Sequence, residues 1–360
     1  MTLAEHGGNL LGLNLEELEN LAVSLGQPRY RGRQIYHGIY ARRVRDLPGL
    51  TDLQRDFREA IAAQQGIIYP QAERHFCSRD GAVRYLFRLL DGNLVETVYM
   101  PEEERTTLCL SSQVGCALDC RFCFTALLGS KRNLTAGEII GQVLAVSAGR
   151  KIARGARLNL VFMGMGEPLL NLPQVMKAVE ILADPKGVGI ALRRITISTV
   201  GIIPRIEELA RESMRPKLAI SLNASHDEQR SALMPINWKY PLADLLRVCH
   251  AYPLRPWEHL TFEYVLLDGC NDSDADAGRV ADLLRDLRAK VNLIPYNSGP
   301  ELPYHAPKLE RVLAFQKILT DRRIPAFIRI SRGQDIHAAC GQLSLDIEGS
   351  GDRVIGSSGH

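Results

Sequence analysis

From Thr106 onward the chain alternates strand-like and helix-like segments, and this alternation limits its fold more than any other feature. Short aliphatic and β-branched runs at 107–111, 158–163, 194–199, 218–222, 260–266, 291–295 and 326–331 predict strands. Between them, apolar residues recur at three- and four-residue intervals. That period predicts helices near 136–149, 173–182, 204–212, 242–250, 273–287 and 309–321. Strands that alternate with helices pair in parallel and carry the helices outside. The fold class expected is α/β, as a partial (β/α)6 barrel rather than a complete eight-fold one. In such barrels, loops at the C-terminal ends of the strands carry the chemistry.

The first hundred residues read differently. Residues 15–65 show helical periodicity punctuated by Gly26, Pro28, Pro48 and Gly49. Strands are expected at 67–69, 83–90 and 94–100, with Asp91-Gly92 as the turn between the last two. The expected organisation is a helical accessory module (1–66), a β linker (67–101), the barrel with its C-terminal loop (102–345) and a Gly/Ser-rich tail (346–360). Net charge is only +3, so a nucleic-acid partner must be met by a local basic patch. Residues 29–45 offer one, with six arginines, three tyrosines, one histidine and no acid. The eight cysteines, with no secretory leader, argue against a disulfide framework. No apolar run is long enough to span a membrane. A cytoplasmic, reducing compartment is expected.

The run C-A-L-D-C-R-F-C places Cys116, Cys120 and Cys123 just after the first barrel strand. Three thiols do not complete a structural zinc site or a four-cysteine iron–sulfur site. They can hold three irons of a cubane and leave the fourth open to a substrate. A zinc knuckle with a distant fourth ligand is the competing reading. The spacing resembles the signature of radical S-adenosylmethionine (radical SAM) enzymes. That resemblance implies a [4Fe–4S] cluster whose open iron chelates SAM and reduces it to methionine and a 5′-deoxyadenosyl radical.

The later strand ends offer one polar group after another. M-G-M-G-E-P supplies Gly166 and Glu167; the glycines permit close backbone approach, and the carboxylate suits the amino group of SAM. Ser198 and Thr199 end the next strand, followed by Ser221, Leu222 and Asn223 and then by Asn297. Each alone is an ordinary loop residue; together they suit a ribose, carboxylate and adenine shell. Two further cysteines stand apart. Cys109 lies within a strand, where a thiol is commonly a small buried hydrophobe. Cys340 lies in a polar, Gly-bearing loop, which is less typical of a core thiol.

The ordered set C-L-S-S-Q-V-G-C-A-L-D-C-R-F-C, K-R-N-L-T-A-G-E-I-I-G-Q-V, F-M-G-M-G-E-P-L-L-N, M-P-I-N, N-L-I-P-Y-N and A-A-C-G-Q-L resembles the RlmN/Cfr family of radical SAM RNA methyltransferases over nearly the whole chain. The resemblance implies methylation of C2 of an adenine in 23S rRNA and in the anticodon loop of tRNA, with two SAM molecules per transfer. Cys340 would carry the methyl group, Cys109 would resolve a protein–RNA crosslink, and Glu96 would accept the C2 proton. An edge-strand carboxylate is the plainer reading of Glu96. The family's N-terminal module assists RNA binding, and the target adenine is expected to be splayed out into the barrel mouth. Lys131 to Asn133 would add charge near the cluster. The implied partners are 23S rRNA, tRNA and a flavodoxin- or ferredoxin-type electron donor, with no membrane and a monomeric chain. Two alternatives remain at this level: a Cfr-type enzyme methylating C8 of the same adenine, and a non-catalytic zinc-bearing RNA-binding protein. The sequence departs from the family at Asn223, where many relatives carry His, and at Trp238, where a basic residue is frequent.

Overall fold

The computed structural model describes residues 8–299 and 302–345; the tail expected at 346–360 lies outside them. Ten strands make one sheet. In chain order they are β1 Gln71–Cys77, β2 Val83–Arg88, β3 Leu94–Pro101, β4 Thr106–Cys109, β5 Leu158–Phe162, β6 Ile195–Thr199, β7 Lys217–Ser221, β8 Leu260–Leu266, β9 Ala289–Pro295 and β10 Ala326–Ile328. From β4 to β10 every neighbouring pair is parallel. The six crossovers carry the helices Ala136–Gly149, Leu172–Ala183, Ile203–Arg211, Leu242–Ala251, Asp274–Leu284 and Leu309–Asp321. This is the α/β half-barrel expected from the alternation, with a seventh parallel strand at its edge.

The expected β linker is instead the antiparallel flank of the same sheet, because β1 to β4 pair in sequence order. Residues 67–69 do not form the expected strand, whereas Gln71–Cys77 does. The reason is local. Q-A-E-R-H-F-C is an edge strand that buries only Phe76, so it shows no apolar alternation to read.

The two faces of the parallel part have different chemistry. Leu160, Phe162, Ile197, Ile220, Phe262 and Leu293 point outward under the helices and are almost fully buried. Their neighbours point into the lumen. Strand register sets Arg84 opposite Val98, Val98 opposite Cys109, Cys109 opposite Val161, Val161 opposite Thr196 and Thr196 opposite Lys217. Directly opposed residues share a face, so this row runs across the lumen wall. A second row joins Ser221, Glu263 and Asn292.

The N-terminal part forms helices Leu15–Ser24, Tyr30–Tyr36 and Arg55–Ala62, and the segment that leads into the first of them packs on the first barrel helix. Gly12, at φ +102°, lies so close to it that an added Cβ would sit 2.3 Å from the Gly137 nitrogen. Tyr40 secures this contact by accepting from the Gly12 N–H and donating to the Leu13 carbonyl, both at 2.8 Å. At the other end, the segment after β10 crosses the open side of the sheet to the β1–β2 turn. The Gly333 N–H donates to Asp80 at 2.9 Å, and the Ser78 hydroxyl to Asp335 at 2.5 Å.

Candidate functional site

Strands Gln113–Gly115 and Ser130–Asn133 pair and close a loop that carries Cys116, Cys120 and Cys123 beyond the end of β4. Burial raises all three thiols, Cys116 to about 11 and Cys120 well above the ordinary range. Each of Cys116 and Cys120 also feels the charges of Cys123 and Glu167. The Leu118 and Ala117 N–H groups donate to Cys116, and those of Thr125 and Ala126 to Cys123. An apolar group of Phe122, Leu233, Met234, Leu267 and Tyr296 packs around Cys120 and Cys123. Among the described residues no three His, Cys, Asp or Glu side chains converge on one metal ion. Three thiols on one loop with amide N–H groups around them suit a cluster in which each thiol would ligate a different iron.

Glu167 is buried at the end of β5. Its carboxylate accepts from the Leu169 and Val200 N–H groups, both at 3.0 Å. Burial nevertheless raises it to about 7, the backbone N–H groups and Thr199 opposing the rise. Gly166, at φ +94°, permits close approach to the chain itself, since an added Cβ would lie 2.4 Å from the Gln113 Cβ. Ser198 and Ser221 are half-buried on the lumen face. Leu222 is buried, and its carbonyl accepts from Arg230 at 3.2 Å.

The two asparagines of the expected ligand shell also bond to the chain itself. Asn223 occupies a left-handed conformation at φ +56°. Its amide donates to the Met234 sulfur at 3.3 Å and its carbonyl accepts from the Val265 N–H at 2.8 Å. Asn297 donates to the Cys340 carbonyl at 3.2 Å and accepts from Gln334 at 2.8 Å, so it clamps the C-terminal segment.

That segment brings Cys340 back to the cluster loop. The Phe124 N–H donates to the Gly341 carbonyl at 2.8 Å, and the Thr125 hydroxyl to the Leu343 carbonyl at 2.7 Å. The Cys340 thiol is exposed at the lumen surface. Its surroundings raise it to about 11, through desolvation and then the charge of Glu263, with a smaller contribution from Cys123. Cys109, buried at the end of β4, is raised further by burial and then by the charge of Cys340. Cys109 and Cys340, from opposite ends of the barrel sequence, thus lie near enough for the charge of one to raise the other.

Glu96 lies on β3, two residues before the partner of Cys109 and on the same face. It forms a fully buried ion pair with Arg84 at 2.5 Å, and the Arg84 guanidinium lies 4.3 Å from the Phe76 ring centre. Ser111 donates to the Glu96 carbonyl at 2.6 Å, and Gln142 holds the Ser111 N–H at 2.9 Å.

Sequence reasoning missed Arg230. It is completely buried, and it donates to the Val200, Ser221 and Leu222 carbonyls and to Asn237. Desolvation lowers it to about 10, while the charge of Cys120 opposes that shift. It ties two strand-end loops behind the cluster thiols. Its signal was its place just before M-P-I-N, whose Asn237 it bonds.

Three of the six arginines of the basic N-terminal patch are in ion pairs. Arg29 and Arg33 share Glu19 at 2.8 and 2.7 Å, and Arg42 pairs with Asp52 at 2.6 Å. Tyr36 and Tyr40 are core residues; only Tyr30 of the three tyrosines is exposed. Near the cluster, Arg132 is paired with Asp91 and Glu138.

A half-barrel with three cluster thiols at its first strand end is the architecture of a radical SAM enzyme, which uses a [4Fe–4S] cluster and SAM. The radical SAM superfamily model matches residues 110–279, and a model of the ribosomal RNA large subunit methyltransferase N-terminal domain matches 8–67. A probable dual-specificity RNA methyltransferase RlmN of Koribacter versatilis is 51% identical over 89% of this chain and 96% of its own. That of Desulfotalea psychrophila is 45% identical over 94% and 95%. The crystal structure of a radical SAM methyltransferase from Sphaerobacter thermophilus superposes with a TM-score of 0.88 at 45% identity, covering 93% of this chain and 98% of that one. The chain belongs to the RlmN family of radical SAM RNA methyltransferases. Among the described residues no helix is long and apolar enough to cross a membrane.

Proposed function

We propose that this enzyme methylates C2 of an adenine in 23S rRNA and of an anticodon-loop adenine in tRNA, with Cys340 as methyl carrier. The observation that carries the assignment is the Phe124–Gly341 backbone bond that holds Cys340 beside the cluster loop, with Cys109 on the lumen face of β4. Cys116, Cys120 and Cys123 hold the cluster, and Ser198, Ser221 and the loop at Gly166 and Glu167 border SAM. Cluster and SAM together supply a methyl cation equivalent and a carbon radical.

The chain's own residues do the rest. Cys340 loses its thiol proton and its sulfur takes a methyl group by displacement. Hydrogen removal from that methyl lets its carbon bond to C2 of the adenine, an electron-poor carbon that an electrophilic methyl would not attack. Glu96, fixed by Arg84, accepts the C2 proton. The adduct gives up one electron, for which the oxidised cluster would be the acceptor; the Cys109 sulfur then attacks the Cys340 sulfur, a disulfide forms as the carbon–sulfur bond breaks, and the released carbon takes the Cys109 thiol proton to become the methyl group of the departing RNA. Burial of Cys109 keeps its thiol protonated until that step.

The family's relatives support C2 over the Cfr-type C8 reading, and the radical SAM family match disfavours the zinc reading. A flavodoxin- or ferredoxin-type donor in the cytoplasm would reduce the cluster of a monomeric enzyme. Anaerobic turnover with labelled SAM and stem-loop RNA, followed by nucleoside mass spectrometry, tests the assignment. A 2-methyladenosine product is expected; 8-methyladenosine or unmodified RNA overturns it.

A further inference from the structure

The sheet is open between its two edge strands, β1 and β10, and the segment that carries Cys340 bridges them. On the barrel side Asn297, Phe124 and Thr125 hold this segment at and just beyond Cys340. On the other side it meets the turn between β1 and β2 through two aspartates used reciprocally. Asp80 of the turn accepts from its own Ala82 N–H and from the Gly333 N–H of the segment, both at 2.9 Å. Asp335 of the segment accepts from the Ser78 hydroxyl at 2.5 Å and from the Arg79 N–H at 3.2 Å. Arg332 adds a bond to the Asp80 carbonyl at 3.2 Å. Desolvation opposes the charge of Asp80, yet the Ala82 and Gly333 N–H groups hold its carboxyl below the ordinary value. Gly333 permits the contact: at φ +68°, an added Cβ would lie 2.8 Å from the Ala338 Cβ and 3.4 Å from the Ala82 Cβ.

Local preference does not set the path of this segment. Gly333, His337 and Gly341 are all left-handed, at φ +68°, +51° and +81°. A histidine in that conformation needs its surroundings to hold it. Cys340 follows Asp335 by five residues, and Ile336, Ala338 and Ala339 between them are buried, so a displacement at the aspartates is passed on to the thiol. The turn belongs to the antiparallel flank, whose strands β3 and β4 carry Glu96 and Cys109. The aspartates therefore tie Cys340 to the flank, whereas Phe124 and Asn297 tie it to the cluster side. We propose that Asp80 and Asp335 are positioning residues for Cys340, which hold its sulfur on the Cys109 side of the lumen for resolution of the crosslink. The inference rests on the methyl-carrier reading of Cys340. Steps beside the cluster keep their own anchors when the aspartates are lost, but the disulfide-forming step does not.

The test uses the cluster-loaded enzyme, labelled SAM and a stem-loop RNA containing the target adenine. The Asp80→Ala/Asp335→Ala variant should lose about tenfold or more in kcat, since a small misplacement of a reacting group is that costly. Its KM for RNA should stay within about twofold of the parent's. Denaturing gels should show RNA-bound protein in place of the missing product, because the step that fails follows carbon–carbon bond formation. Asp335→Ala alone should show a smaller form of the same defect. Asp335→Asn keeps an acceptor oxygen for Ser78 and should show none of it. A mere loss of stability would lower adduct and product together and leave their ratio unchanged. Both aspartates are exposed, so their removal leaves the core intact. If the double variant does not fold, Asp335→Ala decides by the same ratio. Hydrogen exchange gives a readout that needs no turnover. Amides at 333–343 should exchange faster in the double variant, and those of helix Ala136–Gly149 at the parental rate. Parental exchange at 333–343, a parental adduct fraction, or a fall in kcat without adduct overturns the inference. Parent enzyme that yields no methylated adenosine would instead overturn the methyl-carrier reading, and exchange alone would then decide whether the aspartates hold the segment.

Discussion

The outer and inner faces of the parallel sheet come from the same strands, yet they are built by opposite rules. Outward residues such as Ile197, Ile220 and Phe262 are aliphatic or aromatic, fully buried and closed over by helices. Inward residues on the same strands, such as Ser198, Ser221 and Glu263, are polar and face a lumen containing thiols and charges. The outer face supplies stability through apolar burial. The inner face accepts unfavourable terms, including raised thiols, a raised carboxylate and a lowered lysine. A substitution should therefore change stability on one face and chemistry on the other.

The largest effect expected from an inner-face change is loss of turnover with the fold retained, and the two thiols should fail differently. Cys340→Ala removes the methyl carrier, so no protein–RNA adduct should form and no methylated adenine should appear. Cys109→Ala should allow the carbon bridge to form and persist, leaving RNA covalently bound to purified protein. Denaturing gels of enzyme isolated with its RNA read both outcomes. Normal release of methylated RNA by Cys109→Ala would sink the resolving role.

The pair Arg84–Glu96 is an inner-face feature on which fold and chemistry both depend. Both side chains are fully buried, so Arg84→Met leaves a carboxylate without its main counter-charge. Breaking a buried pair in this way costs about 3–5 kcal/mol. The face rule would predict lost activity alone. Chemical denaturation showing a large stability loss would mark the pair as structural as well, whereas an unchanged midpoint would mean that Glu96 is neutralised by a proton.

The parallel strands were legible because each is a short apolar run between helical periods. β1 was not, since Q-A-E-R-H-F-C at a sheet edge has no buried face to imprint a pattern. The place of Cys116, Cys120 and Cys123 beyond a strand end was legible from spacing, whereas the return of Cys340 to that loop was not. The partners of polar groups were hidden. The arginine-rich stretch looked like an open basic surface because Glu19 and Asp52, which pair with three of its six arginines, lie outside it in sequence. The bonds that Asn223 and Asn297 make to their own chain were not visible in their spacing. Composition reveals charge, whereas only the fold reveals which charges are left uncompensated.

On the outer face a conservative truncation sharpens the contrast from the other side. Ile197→Val removes one methylene from a fully buried position between strand and helices. The expected cost is about 0.5–1.5 kcal/mol. The melting temperature should fall by a few degrees while the yield of methylated adenosine per cluster stays at the parental level. A turnover defect larger than the stability loss would show that outer-face packing sets the position of the neighbouring Ser198.

The smallest effect is expected at Glu263, where an inner-face group should leave a stability signature that depends on pH. Burial raises its carboxyl above the ordinary value of 4.5, with Asn292, Arg329 and Lys290 opposing the rise. A raised carboxyl binds its proton more tightly in the folded state than in the unfolded one. Its contribution to stability is fully present below about 4.5 and is lost as pH rises through the folded value. Glu263→Gln cannot titrate, so its stability should fall less steeply than the parent's over that window. Denaturation midpoints measured across the window should therefore rise for the variant relative to the parent as pH increases. Parallel curves would mean that Asn292, Arg329 and Lys290 together offset the burial of Glu263, and that the inner face at this point carries no excess electrostatic cost.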